Sequence, residues 1–204
     1  INHRKQIKIM MNPIEETKVD LLQDLRIPEN TSLDLLDEMV DAKSKYVKDL
    51  RINLKNAMKV AELEPKEAAL IALAITANEK NTVLRNSFTQ IAKENEASPQ
   101  EIAEAIACTS LLAVNNVFYR FRYFSQKEVY QKMPARIKMS IMMKPILGKG
   151  FFELLSLAVS AVNGCEMCVR SHEESVLKLG LSEEKVFAAI RLASVVKGMS
   201  TIIF

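Results

Sequence analysis

Apolar residues recur at helical spacing along almost the whole of this 204-residue chain. The segment 98–114, SPQEIAEAIACTSLLAV, starts with Ser98 at an N-cap position, followed by a proline in the first turn and a glutamate three residues after the cap. Similar helix starts are predicted at Ser182 and at Pro65. Convincing alternation with the period of a strand is missing from the sequence. The pattern therefore predicts an all-α fold.

Two parts of the sequence share one apolar pattern. KEAALIALAITANEKNTVLRN (66–86) matches FELLSLAVSAVNGCEMCVRSH (152–172) at an offset of 86 residues. After a length change of two residues, the match continues at an offset of 84, with SPQEIAEAIACTSLLAV over SEEKVFAAIRLASVVKG. The pattern predicts a duplicated three-helix unit, with copies at about 65–120 and about 150–204.

The two copies are expected to form one compact domain over residues 18–204, preceded by an N-terminal tail at 1–17 that contains His3. The tail lacks the apolar stretch of a secretory signal, and three cysteines, an odd number, do not resemble an exported disulfide framework. No uncharged apolar run reaches the roughly 18 residues that cross a bilayer. We therefore expect a cytoplasmic protein without a membrane partner.

The charge pattern argues against a nucleic-acid partner. The chain has 28 basic and 25 acidic residues, interspersed, with a formal net charge of +3. The segment NNVFYRFRYF (115–124) combines arginines with aromatic residues, but packing between the two copies accounts for one short segment without a wider basic face. No nucleic acid is expected as a partner.

The segment NGCEMCVRSHEE (163–174) concentrates cysteine and histidine in a few residues. Its Asn-Gly pair is predicted to end one helix, so that Cys165 lies in the first turn of the next, where free N–H groups stabilise a thiolate. At about 100° per residue, Cys165, Cys168 and His172 share one helix face. The residues alone leave three uses open: a structural disulfide, a metal site, or a reactive thiol pair beside a proton-handling group.

The first copy does not contain this cluster. At the offset of 86, the corresponding residues are Glu79 for Cys165, Thr82 for Cys168 and Asn86 for His172. A role in packing the duplicated unit would require these residues in both copies, so the difference favours a chemical role. The third cysteine, Cys108, aligns with Leu192 and is predicted to fill the core as a small hydrophobe.

Glu153 lies in an otherwise nearly uncharged helix and starts a polar stripe with Ser156, Ser160 and Asn163. The stripe is either a wet face or a face directed at the thiols, and we expect the second, because buried polar groups seek partners. A carboxylate directly against a thiol would raise the pKa of that thiol. We therefore expect Glu153 to act through His172 or a water molecule.

Glu153 lies twelve residues before Cys165, and the cysteines and histidine follow as C-x-x-C-x-x-x-H. This arrangement resembles the alkyl hydroperoxidase D family of the carboxymuconolactone decarboxylase-like superfamily. The segments NNVFYRFRY (115–123) and RIKMSIMMKP (136–145) are similar to the region between the repeats of that family, and the resemblance extends from about residue 18 to the end. One departure is Met167, since the family pattern can have a histidine between the cysteines.

The resemblance implies a fold of the AhpD-like type and an antioxidant peroxidase that reduces alkyl hydroperoxides through a dithiol/disulfide cycle. Cys168 would be the peroxidatic thiol that becomes a sulfenic acid. Cys165 would be the proton donor and resolving thiol, forming the redox disulfide Cys165–Cys168. Glu153 and His172 would form a proton relay.

The resemblance also implies the partners. A lipoyl group, as dihydrolipoamide on a lipoylated dihydrolipoamide acyltransferase, would be the external electron donor, without a tightly bound cofactor or metal. The protein would also reduce an AhpC-type peroxiredoxin, and it would assemble as a homotrimer.

Two other functions remain open. A zinc site would use Cys165, Cys168 and His172, with Glu153 as the only candidate for the fourth ligand that structural zinc usually takes. A redox-sensing helical module, or a member of the superfamily with another substrate, is the second alternative, since a fold does not determine function.

Overall fold

A computed structural model describes residues 12–204, and within them eleven α-helices and no strand occur. The predicted all-α class is confirmed. The helices are α1 (Pro13–Asp24), α2 (Asp34–Asp41), α3 (Tyr46–Met58), α4 (Pro65–Asn78), α5 (Thr82–Glu94), α6 (Pro99–Ser125), α7 (Glu128–Lys132), α8 (Ser140–Met143), α9 (Lys149–Val162), α10 (Glu166–Lys178) and α11 (Glu183–Met199).

The helical part of the chain begins earlier than residue 18. Asn12 Oδ1 accepts hydrogen bonds from the N–H groups of Ile14 and Glu15, and the Glu15 carboxylate accepts one from the Asn12 N–H. This capping box starts α1 at Pro13. Residues 13–17 therefore belong to a helix rather than to the predicted tail, whereas His3 lies outside the described residues.

The helix starts predicted from local sequence are confirmed. Pro65 is the first residue of α4, and Ser98 and Ser182 are the N-caps of α6 and α11. Ser98 Oγ accepts a hydrogen bond from the Glu101 N–H at 3.2 Å, and the Ser98 N–H donates to the Glu101 carboxylate at 2.7 Å. The hydrogen bond from the Ser98 backbone lowers the pKa of Glu101, with a further contribution from Lys66.

The two three-helix units correspond at a constant offset of 84 residues. Helices α4, α5 and α6 begin at residues 65, 82 and 99, and α9, α10 and α11 begin at 149, 166 and 183. Before the second helix of each unit the chain turns through a residue with positive φ, Lys80 at 57° and Gly164 at 66°. The expected offset of 86 over the first two helices is wrong. An almost unbroken apolar run looks similar when it is shifted by two residues, so hydrophobicity alone did not determine the register.

The corrected offset changes which residues of the two units occupy equivalent positions. Ala69 corresponds to Glu153, Asn81 to Cys165, Leu84 to Cys168 and Phe88 to His172. All four of these first-unit residues are buried. The cluster in the second unit therefore occupies positions at which the first unit has three core residues and a helix-capping asparagine.

Helices α4 and α9 form the centre of the domain. Each contains nine consecutive buried residues, 68–76 in α4 and 152–160 in α9. The two helices contact each other, and both contact α6 and α11. A helix that is buried on all sides must pair its polar side chains internally. Glu153 is subject to this requirement.

Among the described helices, α6 alone is long and apolar enough to span a bilayer by length and composition, and 44% of its most apolar window of 18 residues is buried. Core helices of globular domains pass the same test, so this single helix is weak evidence for a membrane span. Its buried polar residues Glu104, Asn115 and Asn116 face protein neighbours or a pocket.

Candidate active site

The two cysteines lie where α9 gives way to α10. Asn163 is the C-cap of α9, and Gly164 takes the left-handed conformation that reverses the chain. Cys165, which was predicted to lie in the first turn of this helix, is the N-cap of α10, and Cys168 lies in the first turn. Their sulfurs form a disulfide, with the Cα atoms 5.3 Å apart. The structure therefore describes the oxidised form of this dithiol.

Glu153 and His172 form a buried pair. Glu153 Oε2 lies 2.7 Å from His172 Nδ1, and both side chains are about one-tenth exposed or less. A carboxylate can only accept, so Nδ1 donates, and Nε2 is left as the basic nitrogen of the neutral ring. The expected contact between Glu153 and His172 is present, and His172 lies one helical turn after Cys168.

Lys149 completes the surroundings of Glu153. Its Nζ lies 2.9 Å from Glu153 Oε1 and donates a 2.7 Å hydrogen bond to the carbonyl of Met142. Burial raises the pKa of Glu153, but the hydrogen bonds from His172 and Lys149 outweigh burial, so that the pKa is lowered below its usual value. Lys149 was not among the predicted site residues, although its spacing of four residues from Glu153 was a usable signal.

The rest of the predicted polar stripe does not face the thiols. Ser160 Oγ accepts a hydrogen bond from Asn116 at 3.0 Å, and Asn163 donates to Asn116 at 2.9 Å. Ser156 Oγ lies 3.5 Å from the sulfur of Cys108. These three residues therefore pack against α6, and the expectation for them was wrong. Helical spacing placed them on one face, but the packing of α6 decides what covers that face.

Cys108 is buried in α6, as predicted. Burial raises the pKa of its thiol to about 12, and the hydrogen bond with Ser156 offsets this only in part. The side chain is therefore a neutral thiol at physiological pH. Cys108 is thus poorly suited to act as a nucleophile.

A pocket of about 380 Å³ lies beside the cluster. Its size falls in the range of small-molecule sites. It is lined by Asn115 and Tyr119 of α6, Met139 and Met142 at α8, and Met167, Cys168, Ser171 and His172 of α10. Cys168 is thus the cysteine that a ligand in this pocket would meet. The pocket was not predictable from helical spacing, because three segments distant in sequence form its walls.

The residues do not form a ready metal site in this state. Within residues 12–204, no group of three or more His, Cys, Asp or Glu side chains is arranged to hold a metal ion. The Cys165 and Cys168 sulfurs are bonded to each other, and the Nδ1 atom of His172 is hydrogen-bonded to Glu153. Zinc chemistry needs free thiolates, so it would compete with this disulfide.

The chain is similar to known proteins over most of its length. Residues 128–203 match the model of the carboxymuconolactone decarboxylase family. An alkyl hydroperoxide reductase AhpD of Anaeromyxobacter sp. (strain K) is 40% identical over 160 residues, which cover 78% of this chain and 86% of the relative. The proteins of the same name from Solibacter usitatus and Coxiella burnetii are 38% and 33% identical, over 82% of this chain and 94% and 96% of their own lengths.

Proposed function

The chain belongs to the carboxymuconolactone decarboxylase family and, within it, to the AhpD relatives, and we propose that it reduces organic hydroperoxides with its Cys165–Cys168 pair. The observation that carries the proposal is the arrangement around Cys168. One sulfur of a dithiol pair lines a pocket whose wall also contains a histidine held by a buried carboxylate.

The proposed reaction begins with the reduced dithiol. The Cys168 thiolate attacks the terminal oxygen of the hydroperoxide, so that an S–O bond forms and the O–O bond breaks. The alkoxide leaves with its electron pair and takes a proton, which yields an alcohol and a Cys168 sulfenic acid. The Cys165 thiolate then attacks the Cys168 sulfur, the disulfide forms, and the departing hydroxide is protonated to water.

The position of the thiols favours this chemistry. Cys168 lies in the first turn of α10, where the partial positive charge of the helix N-terminus stabilises a thiolate. His172 is one turn further along the same face, and Glu153 holds its ring by the Nδ1 hydrogen. His172 would deliver and accept protons through Nε2, and Glu153 would stabilise the imidazolium that forms.

Regeneration requires a dithiol reductant. We include dihydrolipoamide, carried by a lipoylated acyltransferase, because its two thiols supply the two electrons and two protons that the disulfide consumes. The same reduced pair would serve an AhpC-type peroxiredoxin. Assembly as a homotrimer and a cytoplasmic location belong to this proposal.

Steady-state turnover with cumene hydroperoxide and dihydrolipoamide tests the proposal. The parent protein should consume both compounds in equal amounts. Cys168→Ser should abolish turnover. Cys165→Ser, treated with peroxide in the absence of dihydrolipoamide, should consume one equivalent of peroxide and then stop at the sulfenic acid. Cys108→Ser is the matched control and should turn over at the parent rate, because that thiol is buried and protonated.

Other results would select the alternatives. Peroxide consumption by Cys168→Ser at the parent rate would contradict the assignment of the peroxidatic sulfur. Near-stoichiometric zinc in protein prepared without chelator, with two free thiols, would favour the metal site. Oxidation to a stable disulfide that dihydrolipoamide does not reduce would favour a redox sensor.

A further inference from the structure

Asn115 carries an unused hydrogen-bonding group in the core. Within the part of the chain that the structure describes, its Oδ1 is the one buried side-chain nitrogen or oxygen without a hydrogen-bond partner. The residue is 5% exposed. Burying a carbonyl oxygen without a donor is unfavourable, and proteins rarely retain such an atom without a reason. The position therefore calls for a donor from outside the protein's own side chains.

The other end of the same carboxamide is only weakly bound. Asn115 Nδ2 donates to the thioether sulfur of Met139 at 3.2 Å. A thioether is a poor acceptor, so neither end of this carboxamide makes a strong hydrogen bond within the protein. The side chain is buried, and its carboxamide can still form a strong hydrogen bond with a ligand.

The neighbouring residue provides the contrast. Asn116 is also buried in α6, yet its Nδ2 donates to Ser160 at 3.0 Å and its Oδ1 accepts from Asn163 at 2.9 Å. Two adjacent asparagines on one helix thus have different roles. Asn116 fastens α6 to α9, whereas Asn115 lines the pocket that also contains Cys168.

The other residues that line the pocket indicate which chemical group of the ligand lies next to its hydrogen-bond donor. Met139, Met142 and Met167 all line it. Methionine side chains are unbranched and polarizable, so they adapt to apolar groups of different shapes. A ligand that suits the pocket therefore combines an apolar body with a polar group that donates a hydrogen.

We propose that Asn115 is a substrate-binding residue that accepts the O–H hydrogen of an organic hydroperoxide, while the three methionines enclose its alkyl group. This inference rests on the proposed peroxidase function. A neutral hydroperoxide has such a hydrogen on its terminal oxygen, which is the oxygen that the Cys168 thiolate attacks. The hydrogen stays on that oxygen during the transfer, so Asn115 also holds the hydroxyl group of the sulfenic acid.

The proposal predicts a selectivity. Hydrogen peroxide can make the bond to Asn115 but offers no alkyl group to the methionines, and a fatty-acid carboxylate brings an alkyl chain but no donor. Organic hydroperoxides can make both the hydrogen bond to Asn115 and the apolar contact with the methionines, so they should react faster than hydrogen peroxide. Product alcohols keep the O–H donor, so they serve as stable probes of the same site.

The test compares the binding of cumyl alcohol and cumene, which share an apolar body and differ in the hydroxyl group. Titration of the disulfide form, followed by NMR, gives both affinities without any turnover. Asn115→Leu should weaken alcohol binding roughly 5- to 100-fold, the range for the loss of a buried hydrogen bond, and leave cumene binding within about twofold. Asn116→Ala is the matched control and should change the alcohol-to-cumene ratio by less than about twofold.

A second readout separates this inference from the peroxidase function. Oxidation of the reduced protein by cumene hydroperoxide should slow in Asn115→Leu by the same factor as alcohol binding, while alkylation of Cys168 by iodoacetamide keeps the parent rate. An unchanged alcohol-to-cumene ratio in Asn115→Leu would overturn the inference, even if the parent reduces peroxides. If Asn115→Leu changes the alcohol-to-cumene ratio but the parent protein reduces no peroxide, the proposed peroxidase function is overturned, whereas Asn115 remains a binding residue for hydroxyl groups. If Asn115→Leu does not fold, Asn115→Ala, which also lacks an acceptor, gives the same ratio test.

Discussion

The two three-helix units place different chemistry on equivalent backbone positions. In the second unit, Glu153 on α9 is bonded to His172 on α10, next to the disulfide. In the first unit, the equivalents of these two residues are Ala69 and Phe88, both buried in the core. Equivalent helix pairs therefore carry two buried apolar residues in one unit and a paired acid and base in the other.

The helix caps differ in the same way. Asn81 caps α5 by accepting from the Leu84 N–H, and its Nδ2 donates to the carbonyl of Ser200 at 3.3 Å. Cys165 is the N-cap of α10 without a side-chain capping bond. Where the first unit has a capping interaction, which typically contributes about 1 kcal/mol, the second unit thus has a disulfide-bonded sulfur. Both units contribute buried apolar residues to the core, and the disulfide occupies only the second of them.

The largest effect should come from giving the second unit the residues of the first. The triple variant Glu153→Ala, Cys168→Leu and His172→Phe should lose at least about 1,000-fold in peroxide turnover, because the thiol and both relay groups are gone. It should still unfold cooperatively, since replacing a buried polar pair by apolar residues of similar size is often neutral or stabilising. A turnover assay measures the loss of activity, and urea unfolding measures whether the variant still folds cooperatively. An unfolded variant would show that the cluster is needed for packing.

A smaller effect is expected for the carboxylate alone. Glu153→Gln keeps the shape but removes the charge that stabilises the imidazolium, so turnover should fall roughly 10- to 100-fold. Glu67→Gln, in α4, removes a carboxylate that Lys185 holds at 2.7 Å, and it should leave turnover within about twofold. Equal losses in the two variants would show that the effect is structural rather than specific to the relay.

Lys149→Met should change turnover by a few-fold and move its pH dependence. Without the lysine, the pKa of Glu153 rises, because burial raises it and one of the two opposing hydrogen bonds is lost. A carboxylate with a lowered pKa stabilises the fold above its unfolded pKa of about 4.5, and this contribution is lost as pH falls through the folded value. The variant should therefore show a smaller stability difference between neutral and acidic pH.

Two measurements check this prediction for Lys149. NMR titration of the Glu153 carboxyl carbon should give a higher midpoint in the variant, and urea unfolding at neutral and acidic pH should give the smaller difference. An unchanged midpoint would show that Lys149 does not act on Glu153.

The smallest effect is expected at an ion pair that joins the two units, between Glu67 of α4 and Lys185 of α11. Lys185→Met breaks the Glu67 pair, whose side chains are about one-fifth exposed, and should reduce the free energy of unfolding by less than about 1 kcal/mol. Turnover should stay at the parent value. Chemical denaturation measures the loss, and a clear decrease in turnover would contradict the assignment of the chemistry to Cys165, Cys168, His172 and Glu153.

Local chemistry made much of the fold predictable. The helix starts at Pro65, Ser98 and Ser182 depend on residues within one turn of the cap, so the sequence contains the whole signal. The cluster of Cys165, Cys168 and His172 was found for the same reason. Interactions within one helix or one turn can be predicted from a single sequence.

Contacts between distant segments were not predictable in the same way. The predicted register of the first two helices of each unit differs from the observed one by two residues, because α4 and α9 are too uniformly apolar to align by hydrophobicity. Ser156 and Ser160 turned out to face α6, and Asn115 reaches the pocket of Cys168 from more than 50 residues away in sequence. Tertiary packing decides these contacts, and periodicity does not report it.

The central claim is that the Cys165–Cys168 dithiol passes its two electrons to an organic hydroperoxide. Its most direct test is a single-turnover titration of fully reduced protein with one equivalent of cumene hydroperoxide, followed by peptide mass spectrometry and quantification of the alcohol. The account predicts one disulfide between these two cysteines per chain, one equivalent of cumyl alcohol, and an unmodified Cys108. Reduced cysteines beside unconsumed hydroperoxide would contradict it.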